Sequence, residues 1–426
     1  MGFEMQGAGL ACDGVDLTEI AAEHGTPLYV YSGDLFTANI RRLQAAFEGL
    51  NALFAYSVKA SSNQALLALA LREGCGLDIV SGGELQRALA VGADPKGIIF
   101  AGVGKTPEEI TAALRADIGM FNVESIGEID HIDKAAEALG VRGRIALRVN
   151  PDVRADTHAY ITTGTTENKF GIDFKLIDQA MEAVRRAKHV DLIGLHCHIG
   201  SQILDAEPYR QAAERVVDIV ERLREGGNEI THVNFGGGHG IAYKRDQTAL
   251  DPTTVAKALR PIVEGLGVRP ILEPGRSLIG PAGILLTRVI NVKVGVKKRF
   301  VIVDAAMNDL IRPPLYQAYH RITAVAAGSA EATRTEVDVV GPVCESTDFL
   351  AKDRLMPLPG TGDLLAVHDA GAYGIVMASN YNTRPRVAEV LVLEGRAHLV
   401  RRRDTIEEIL ASENVPESLA KRSDGS

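Results

Sequence analysis

Residues 232–240 read HVNFGGGHG, and residues 270–277 read PILEPGRS. In both stretches a short apolar run of strand length passes into glycine and then into polar residues. Three consecutive glycines let backbone N–H groups crowd around an oxyanion, and Gly275 with Arg276 places a glycine and a cation at the next strand end. A plain tight turn explains only one of these features, so we predict two neighbouring loops that hold a phosphate group.

The sequence before these strands alternates between apolar runs of strand length and stretches with helical periodicity. Eight β-then-α units over roughly 220 residues favour a closed (β/α)8 TIM-type barrel over an open doubly wound sheet. Phosphate-binding loops after strands seven and eight recur in that fold. The eight predicted strands are Leu53–Val58, Gly76–Val80, Ile98–Gly102, Met120–Glu124, Ile145–Val149, Leu192–Ile199, His232–Gly236 and Pro270–Pro274.

The pattern changes after about Gly280, where β-rich segments follow one another without long helices between them. This change predicts a second, all-β domain at the C-terminal end of the chain. The short run TPLYVYS (residues 26–32) also has the character of a strand and could join that domain. We therefore predict a barrel over residues 33–280 and a β-rich domain built from residues 1–32 and 281–426.

The bulk properties of the chain narrow the class of protein. A formal net charge of -9 argues against a nucleic-acid partner, because binding to a phosphate backbone needs a basic face. No apolar run reaches the roughly 18 residues that suggest a membrane span, and the N-terminus lacks the pattern of a signal peptide, so we expect a cytoplasmic protein with no membrane partner. The 4 cysteines are scattered and form neither a zinc spacing nor a disulfide framework.

Two charged residues stand where chemistry is expected in a barrel, at the C-terminal ends of strands. Lys59 follows strand one in AYSVKAS. Taken alone, it could be a solvated lysine at the rim of the barrel. Lysine is also the residue that forms a Schiff base with a cofactor aldehyde. Glu273 ends strand eight, where an ionised carboxylate needs a cationic partner. That partner could be Arg276 or the ring nitrogen of pyridoxal phosphate (PLP), which a carboxylate keeps protonated as an electron sink.

Strand six ends in HCHIGSQ, where His196 and His198 lie on one face of the strand. Alternating histidines suggest a metal site, but no third ligand is placed to complete one, so we predict no metal. A flat imidazole that stacks on a cofactor ring suits His198 better, and Ser201 lies within reach of a phosphate. Asp78, at the end of strand two, is expected to orient these groups.

Together, Lys59 in YSVKAS and the HIGS, GGG and EPGR motifs resemble those of the alanine-racemase-like barrel family of PLP-dependent decarboxylases. The resemblance covers nearly the whole chain. Within the family the chain is similar to the members that convert meso-diaminopimelate to L-lysine and carbon dioxide, the last step of lysine biosynthesis. Racemases of this fold place an arginine against the ring nitrogen, so Glu273 is typical of the decarboxylases.

The resemblance implies roles for individual residues of the barrel. Lys59 would bind the cofactor covalently and His198 would stack on its ring. Arg276 would also grip the substrate's distal carboxylate. The residues expected to line the phosphate and carboxylate region are Gly236, Gly237, Gly238, Gly275 and Arg276.

The most diagnostic motifs lie in the β domain, in IRPPLYQAYH, GPVCESTDFL and DAGAYG. Similarity to the family assigns Arg312 and Tyr316 to the distal carboxylate, and Glu345 to the distal ammonium. It assigns Tyr373 to both cofactor and substrate. Cys344 would be the proton donor, reaching the cofactor of the partner subunit across a homodimer. These residue types fit the substrate, because a molecule with an amino-acid group at each end needs cations for its far carboxylate and an anion for its far ammonium.

Two departures and three alternatives accompany this prediction. The family usually has asparagine where this chain has Ser61 and glycine where it has Thr347, which puts local loop geometry in question. The nearest alternative is an ornithine, arginine or carboxynorspermidine decarboxylase on the same fold. Most of those substrates lack a distal carboxylate, so replacing Arg312 should harm only an enzyme that acts on meso-diaminopimelate. A racemase is disfavoured by Glu273, and a noncatalytic PLP carrier is usually a lone barrel.

Overall fold

The chain begins with a small three-stranded antiparallel sheet whose buried residues pack against the strands of the C-terminal sheet. The computed structural model describes residues 2–7, 9–151, 153, 169–326 and 333–419. The Asp16 side chain caps the first helix by accepting a hydrogen bond from the Thr18 N–H. The N-terminal elements are β1 (Phe3–Gln6), β2 (Gly9–Cys12), β3 (Val15–Asp16), α1 (Leu17–His24) and β4 (Leu28–Ser32).

Eight parallel strands close into a barrel, which confirms the predicted (β/α)8 fold. Closure is made where the last strand pairs with the first, with Ile271 opposite Leu53. The short strand β10 (Ile172–Asp173) adds to one barrel strand from outside. The barrel strands are β5 (Leu53–Ser57), β6 (Gly76–Ile79), β7 (Ile98–Phe100), β8 (Met120–Val123), β9 (Gly143–Asn150), β11 (Val190–His196), β12 (His232–Asn234) and β13 (Arg269–Leu272).

Helices surround the barrel, but one helix of this ring comes from before the first barrel strand, which the β-then-α count did not predict. The helix after β13 is a four-residue turn, α10 (Arg276–Ile279). The gap is filled by α2 (Gly33–Ala46), which comes before β5 in the chain and packs between α3 (Gln64–Arg72) and α9 (Pro252–Leu266). The helices are α2 (Gly33–Ala46), α3 (Gln64–Arg72), α4 (Gly82–Ala90), α5 (Pro107–Ala116), α6 (Ile126–Leu139), α7 (Ile177–Arg186), α8 (Glu207–Glu225), α9 (Pro252–Leu266) and α10 (Arg276–Ile279).

The second domain is a mixed sheet that takes in β4, as predicted for TPLYVYS. Strand β4 lies between two C-terminal strands, antiparallel to β14 and parallel to β20. The first domain is therefore inserted between two parts of this sheet. The boundary residues 33 and 280 stay a prediction. The elements are β14 (Gly283–Val294), β15 (Arg299–Val303), α11 (Arg312–Tyr316), β16 (Ile322–Ala324), β17 (Arg334–Val340), β18 (Phe349–Pro357), β19 (Leu364–Val367), β20 (Ala388–Leu393), β21 (Arg396–Arg401) and α12 (Ile406–Leu410).

The strands of the barrel are buried on both faces, which is why they read as apolar runs. Polar residues begin where the strands end, so the carboxyl edge of the barrel collects the predicted site. Within the described residues, no helix is long and apolar enough to cross a membrane.

One glycine of the barrel allows two neighbouring chain segments to approach closely. A Cβ on Gly76 would lie 2.2 Å from the carbonyl oxygen of Gly97. We expect Gly76→Ala to lower the free energy of unfolding by about 1–3 kcal/mol, because backbone must shift to accept the methyl group. Urea unfolding of the purified protein would measure the change.

Gly97→Ala is the matched control, because its Cβ would meet only the Gly76 Cα at an ordinary 3.5 Å. Equal unfolding midpoints for the two variants would contradict this account of barrel packing.

Candidate active site

Lys59 lies at the mouth of the barrel, in a short turn directly after β5. Its Nζ donates to Oδ2 of the buried Asp78 on β6, and the Ser57 hydroxyl donates to the same oxygen at 2.7 Å. Enclosure alone would lower the pKa of Lys59, but Asp78 and Glu273 outweigh it and hold that pKa above its usual range. The side chain remains 35% exposed, so the amine is held in position and still accessible.

Glu273 follows β13 and is almost completely buried. Its Oε1 accepts hydrogen bonds from Asn122 Nδ2 at 3.0 Å and Asn234 Nδ2 at 2.6 Å. Burial opposes ionisation, but the His196 imidazole, 3.6 Å from Oε2, and Lys59 together hold the pKa of Glu273 below its usual range. The 3.6 Å contact between Oε2 and His196 Nε2 is longer than a normal hydrogen bond, so Oε2 can still accept a hydrogen bond from a ligand.

The alternative partner for Glu273, Arg276, is not used. The guanidinium of Arg276 donates to Tyr243 and Ser201 instead. The Glu273 carboxylate is therefore held by neutral amides at Oε1, while His196 and Lys59 stabilise its negative charge.

The glycine turn after β12 is built for close contact between backbones. Gly236 and Gly238 have φ of +66° and +93°. A Cβ on Gly237 would lie 2.0 Å from the Glu273 carbonyl oxygen, and one on Gly238 would lie 2.2 Å from the Gly200 carbonyl oxygen. No larger residue fits either position, so three strand ends converge as bare backbone around one small space.

His198 lies against this turn and accepts a hydrogen bond from the Gly237 N–H at Nδ1, 3.2 Å away. Burial, and then the positive charge of Arg148, hold the pKa of His198 well below its usual range. The imidazole is therefore neutral, and a neutral flat ring is suited to stacking on an aromatic cofactor.

Two buried arginines meet at a single tyrosine hydroxyl. Arg276 Nη1 and Arg312 Nη1 lie 2.8 and 2.9 Å from the Tyr243 oxygen. Arg276 Nη2 also donates to Ser201 at 3.0 Å, and its buried Nε has no hydrogen-bond partner among the described residues. In the part of the chain that the structure describes, neither arginine has a carboxylate at ion-pair distance, and Asp369 acts on Arg312 only from further away. Two buried cations without a directly paired carboxylate define a site for anionic groups.

Tyr373 connects these arginines to Lys59. Its N–H donates to the Ala60 carbonyl at 2.8 Å, and its ring lies 4.8 Å from the Arg276 guanidinium carbon. The residue adopts a φ of +56°, which is uncommon for a bulky side chain and marks a tightly determined loop. Tyr316 joins Lys59 and Tyr373 in the lining of one cleft of about 740 Å³.

Cys344 and Glu345 are both exposed, and neither lines this cleft. The Cys344 N–H donates to Asn382 Oδ1 at 3.0 Å, and buried Asp348 holds the loop by accepting from the Val343 N–H at 2.7 Å. Thr347, which replaces the family's glycine, has no positive φ and fits this loop without left-handed strain.

Sequence reasoning missed four residues of the site. Asn122 and Asn234 are amides on otherwise apolar strands, and a polar residue at a buried strand position was the available signal. Tyr243 had no local signal. His320 ends the diagnostic motif IRPPLYQAYH, but the histidine itself gave no signal of a role in the site.

The site residues fit PLP on their own structural features. Lys59 offers an accessible amine, and Glu273 offers a free carboxylate oxygen for a protonated ring nitrogen. The glycine turn and the unpartnered Arg276 Nε offer a cradle for a phosphate. The described residues contain no cluster that could hold a metal ion. Fold and site together define the class of PLP-dependent barrel enzymes.

Comparison with known proteins agrees with this class and narrows it. Residues 34–280 match the family model described as "Pyridoxal-dependent decarboxylase, pyridoxal binding domain". Diaminopimelate decarboxylase of Pseudomonas aeruginosa is 48% identical over 97% of this chain and 99% of its own length. The chain belongs to the pyridoxal-dependent decarboxylase family, and within it to the diaminopimelate decarboxylases.

Solved structures support the same conclusion. The diaminopimelate decarboxylase of M. jannaschii in co-complex with L-lysine has a TM-score of 0.93 and 38% identity, over 98% of this chain and 99% of that one. The Helicobacter pylori enzyme complexed with L-lysine has a TM-score of 0.89 and 38% identity, over 93% of this chain and 99% of that one.

Replacing Lys59, the predicted Schiff-base lysine, tests the centre of the site. We expect Lys59→Ala to abolish both turnover and the visible absorbance of protein-bound cofactor, because alanine cannot form the covalent bond. Absorbance spectroscopy after incubation with PLP would measure the bound cofactor, and an assay of carbon dioxide release would measure turnover.

Lys96→Ala is the control, because Lys96 is an exposed lysine that pairs with Asp117. It should match the unmodified protein in colour and activity. A coloured, active Lys59→Ala variant would refute the assignment.

Proposed function

We propose that this chain decarboxylates meso-diaminopimelate to L-lysine and carbon dioxide, with PLP bound covalently to Lys59. The observation that carries the proposal is the pair of buried arginines, Arg276 and Arg312, which share the Tyr243 hydroxyl and have no acidic partner among the described residues. A substrate that keeps a carboxylate far from the reacting carbon supplies the missing anion. The relatives of 48% identity carry the name of the enzyme with that activity.

The charged groups of the site are separated by sign, which suits such a substrate. Asp78 and Glu273 act on the amine of Lys59, whereas Arg276 and Arg312 meet at the Tyr243 hydroxyl. Arg312 and Tyr316 would hold the retained carboxylate, and Arg276 would divide its hydrogen bonds between that carboxylate and the phosphate region. A planar guanidinium can bind a carboxylate through two parallel hydrogen bonds, so arginine gives orientation as well as charge.

The residues around Lys59 prepare the loss of carbon dioxide. PLP, when bound, supplies the electron sink that accepts the electron pair of the breaking C–C bond. Glu273 would keep the ring nitrogen protonated through its ionised carboxylate. His198 would stack on the ring as a neutral imidazole. Asp78 holds the Lys59 amine at the barrel mouth and has a lone pair available for its proton.

Protonation of the product carbon is assigned to Cys344 from a second copy of the chain, with Glu345 from the same loop holding the distal ammonium. The exposed position of both residues supports a site shared across a homodimer, because an exposed thiol and an exposed carboxylate are accessible to a second copy of the chain. A cytoplasmic location stays a prediction from the sequence.

Substrate choice can be tested by removing one arginine. The unmodified protein should release carbon dioxide from meso-diaminopimelate and not from ornithine or arginine. Arg312→Ala should lower kcat/KM for meso-diaminopimelate about a hundredfold, because a buried carboxylate loses its charged partner. Arg299→Ala, an exposed arginine on β15, should leave kcat/KM unchanged. Release from ornithine alone would overturn the substrate assignment.

The shared site has its own test in a mixture of two inactive variants. Lys59→Ala and Cys344→Ala subunits, unfolded together and refolded, should recover roughly a quarter of the normal activity, because half of the dimers then contain one complete site. Each variant refolded alone is the control. No recovery, with mixed dimers present on native mass spectrometry, would show that Cys344 acts within its own subunit.

A further inference from the structure

His320 is fully buried beside Arg312. It follows α11 in the chain and contacts the guanidinium of Arg312 directly. Arg312 Nη1 lies 3.0 Å from its Nε2, and its Nδ1 lies 2.9 Å from the His368 carbonyl oxygen. The Tyr243 ring packs edge-on against the imidazole, with ring centroids 5.4 Å apart.

These two contacts define the tautomer of His320. A carbonyl oxygen only accepts hydrogen bonds, so Nδ1 carries the proton that bonds His368. Nε2 is then left as an acceptor, which is what the guanidinium of Arg312 requires. Burial, and then the charge of Arg312, lower the pKa of His320 to about 3, so the ring is neutral at physiological pH.

The consequence for Arg312 follows from counting its hydrogens. Nη1 carries two, of which one is directed to the Tyr243 oxygen at 2.9 Å and the other to His320 Nε2 at 3.0 Å. The remaining donors of the guanidinium are on Nε and Nη2, and neither bonds a described residue. Those two nitrogens form the edge that binds a carboxylate through two parallel hydrogen bonds.

We propose that His320 is a positioning residue for substrate recognition: it orients Arg312 so that its Nε and Nη2 edge faces the distal carboxylate. Tyr243 completes the arrangement because its hydroxyl also holds Arg276, so both guanidiniums are fixed relative to each other. The inference rests on the proposed function, since it concerns the carboxylate that the substrate retains.

Two amide substitutions separate the two hydrogen bonds of the ring. His320→Gln places an amide oxygen near the position of Nε2 and keeps an acceptor for Arg312. His320→Asn places an amide N–H near the position of Nδ1 and keeps the bond to His368, but it removes the acceptor. We expect KM for meso-diaminopimelate to rise about tenfold in His320→Asn and clearly less in His320→Gln, with kcat little changed in both.

A second measurement distinguishes orientation of Arg312 from general loosening of the fold. L-lysine keeps the distal carboxylate, whereas cadaverine, its decarboxylated analogue, does not. The inhibition constant of L-lysine should rise with KM in His320→Asn, and that of cadaverine should stay the same. Thermal unfolding and the absorbance of bound PLP would show that both variants are folded and loaded.

The outcomes keep this inference separate from the proposed function. If the unmodified protein does not decarboxylate meso-diaminopimelate, the proposed function is wrong. If it does, but His320→Asn retains normal KM and normal inhibition by L-lysine, or performs better than His320→Gln, then His320 does not orient Arg312 and the inference is wrong.

Discussion

An ionised carboxylate at the centre of a barrel is costly unless hydrogen bonds and nearby positive charge stabilise it, and Glu273 is such a group. Its Oε1 is held by amides from β8 and β12, its Oε2 faces His196 at the end of β11, and its backbone carbonyl accepts from Ser57 on β5 at 3.0 Å. Four other strands therefore meet the end of β13 at one residue. Because so many elements converge there, the barrel's register and the position of the site are set together.

The convergence also explains the three glycines. Gly237 has its Cα directly against the Glu273 carbonyl, where a side chain would collide. Replacing it with a larger residue would push β12 away from β13, and the Asn234 amide would lose the carboxylate. The same turn that suits a phosphate is therefore also a packing requirement of the barrel, and both demands select glycine.

The substrate side of the site depends on the second domain. Arg312, Tyr316 and Tyr373 come from the β domain, and Tyr243 comes from a barrel loop. The Tyr243 hydroxyl joins the two domains by accepting from Arg276 of the barrel and Arg312 of the β domain. Under the proposed function, the β domain would supply the residues that recognise a distal carboxylate, and the barrel would supply those that bind the cofactor.

The sequence alone determined the barrel, the inclusion of the N-terminal strand in the second sheet, and the grouping of Lys59, Glu273 and the glycine turn at one edge. Strand and helix periodicity are local properties, and parallel strands bring their carboxyl ends together whatever the side chains are. Only the tertiary structure decided the partners of the buried charges. Asn122 lies 151 residues from Glu273 in the chain, and Tyr243 lies 69 residues from Arg312. A hydrogen bond forms only when donor and acceptor are placed to within a few tenths of an ångström. That placement arises only when the barrel closes and the two domains pack.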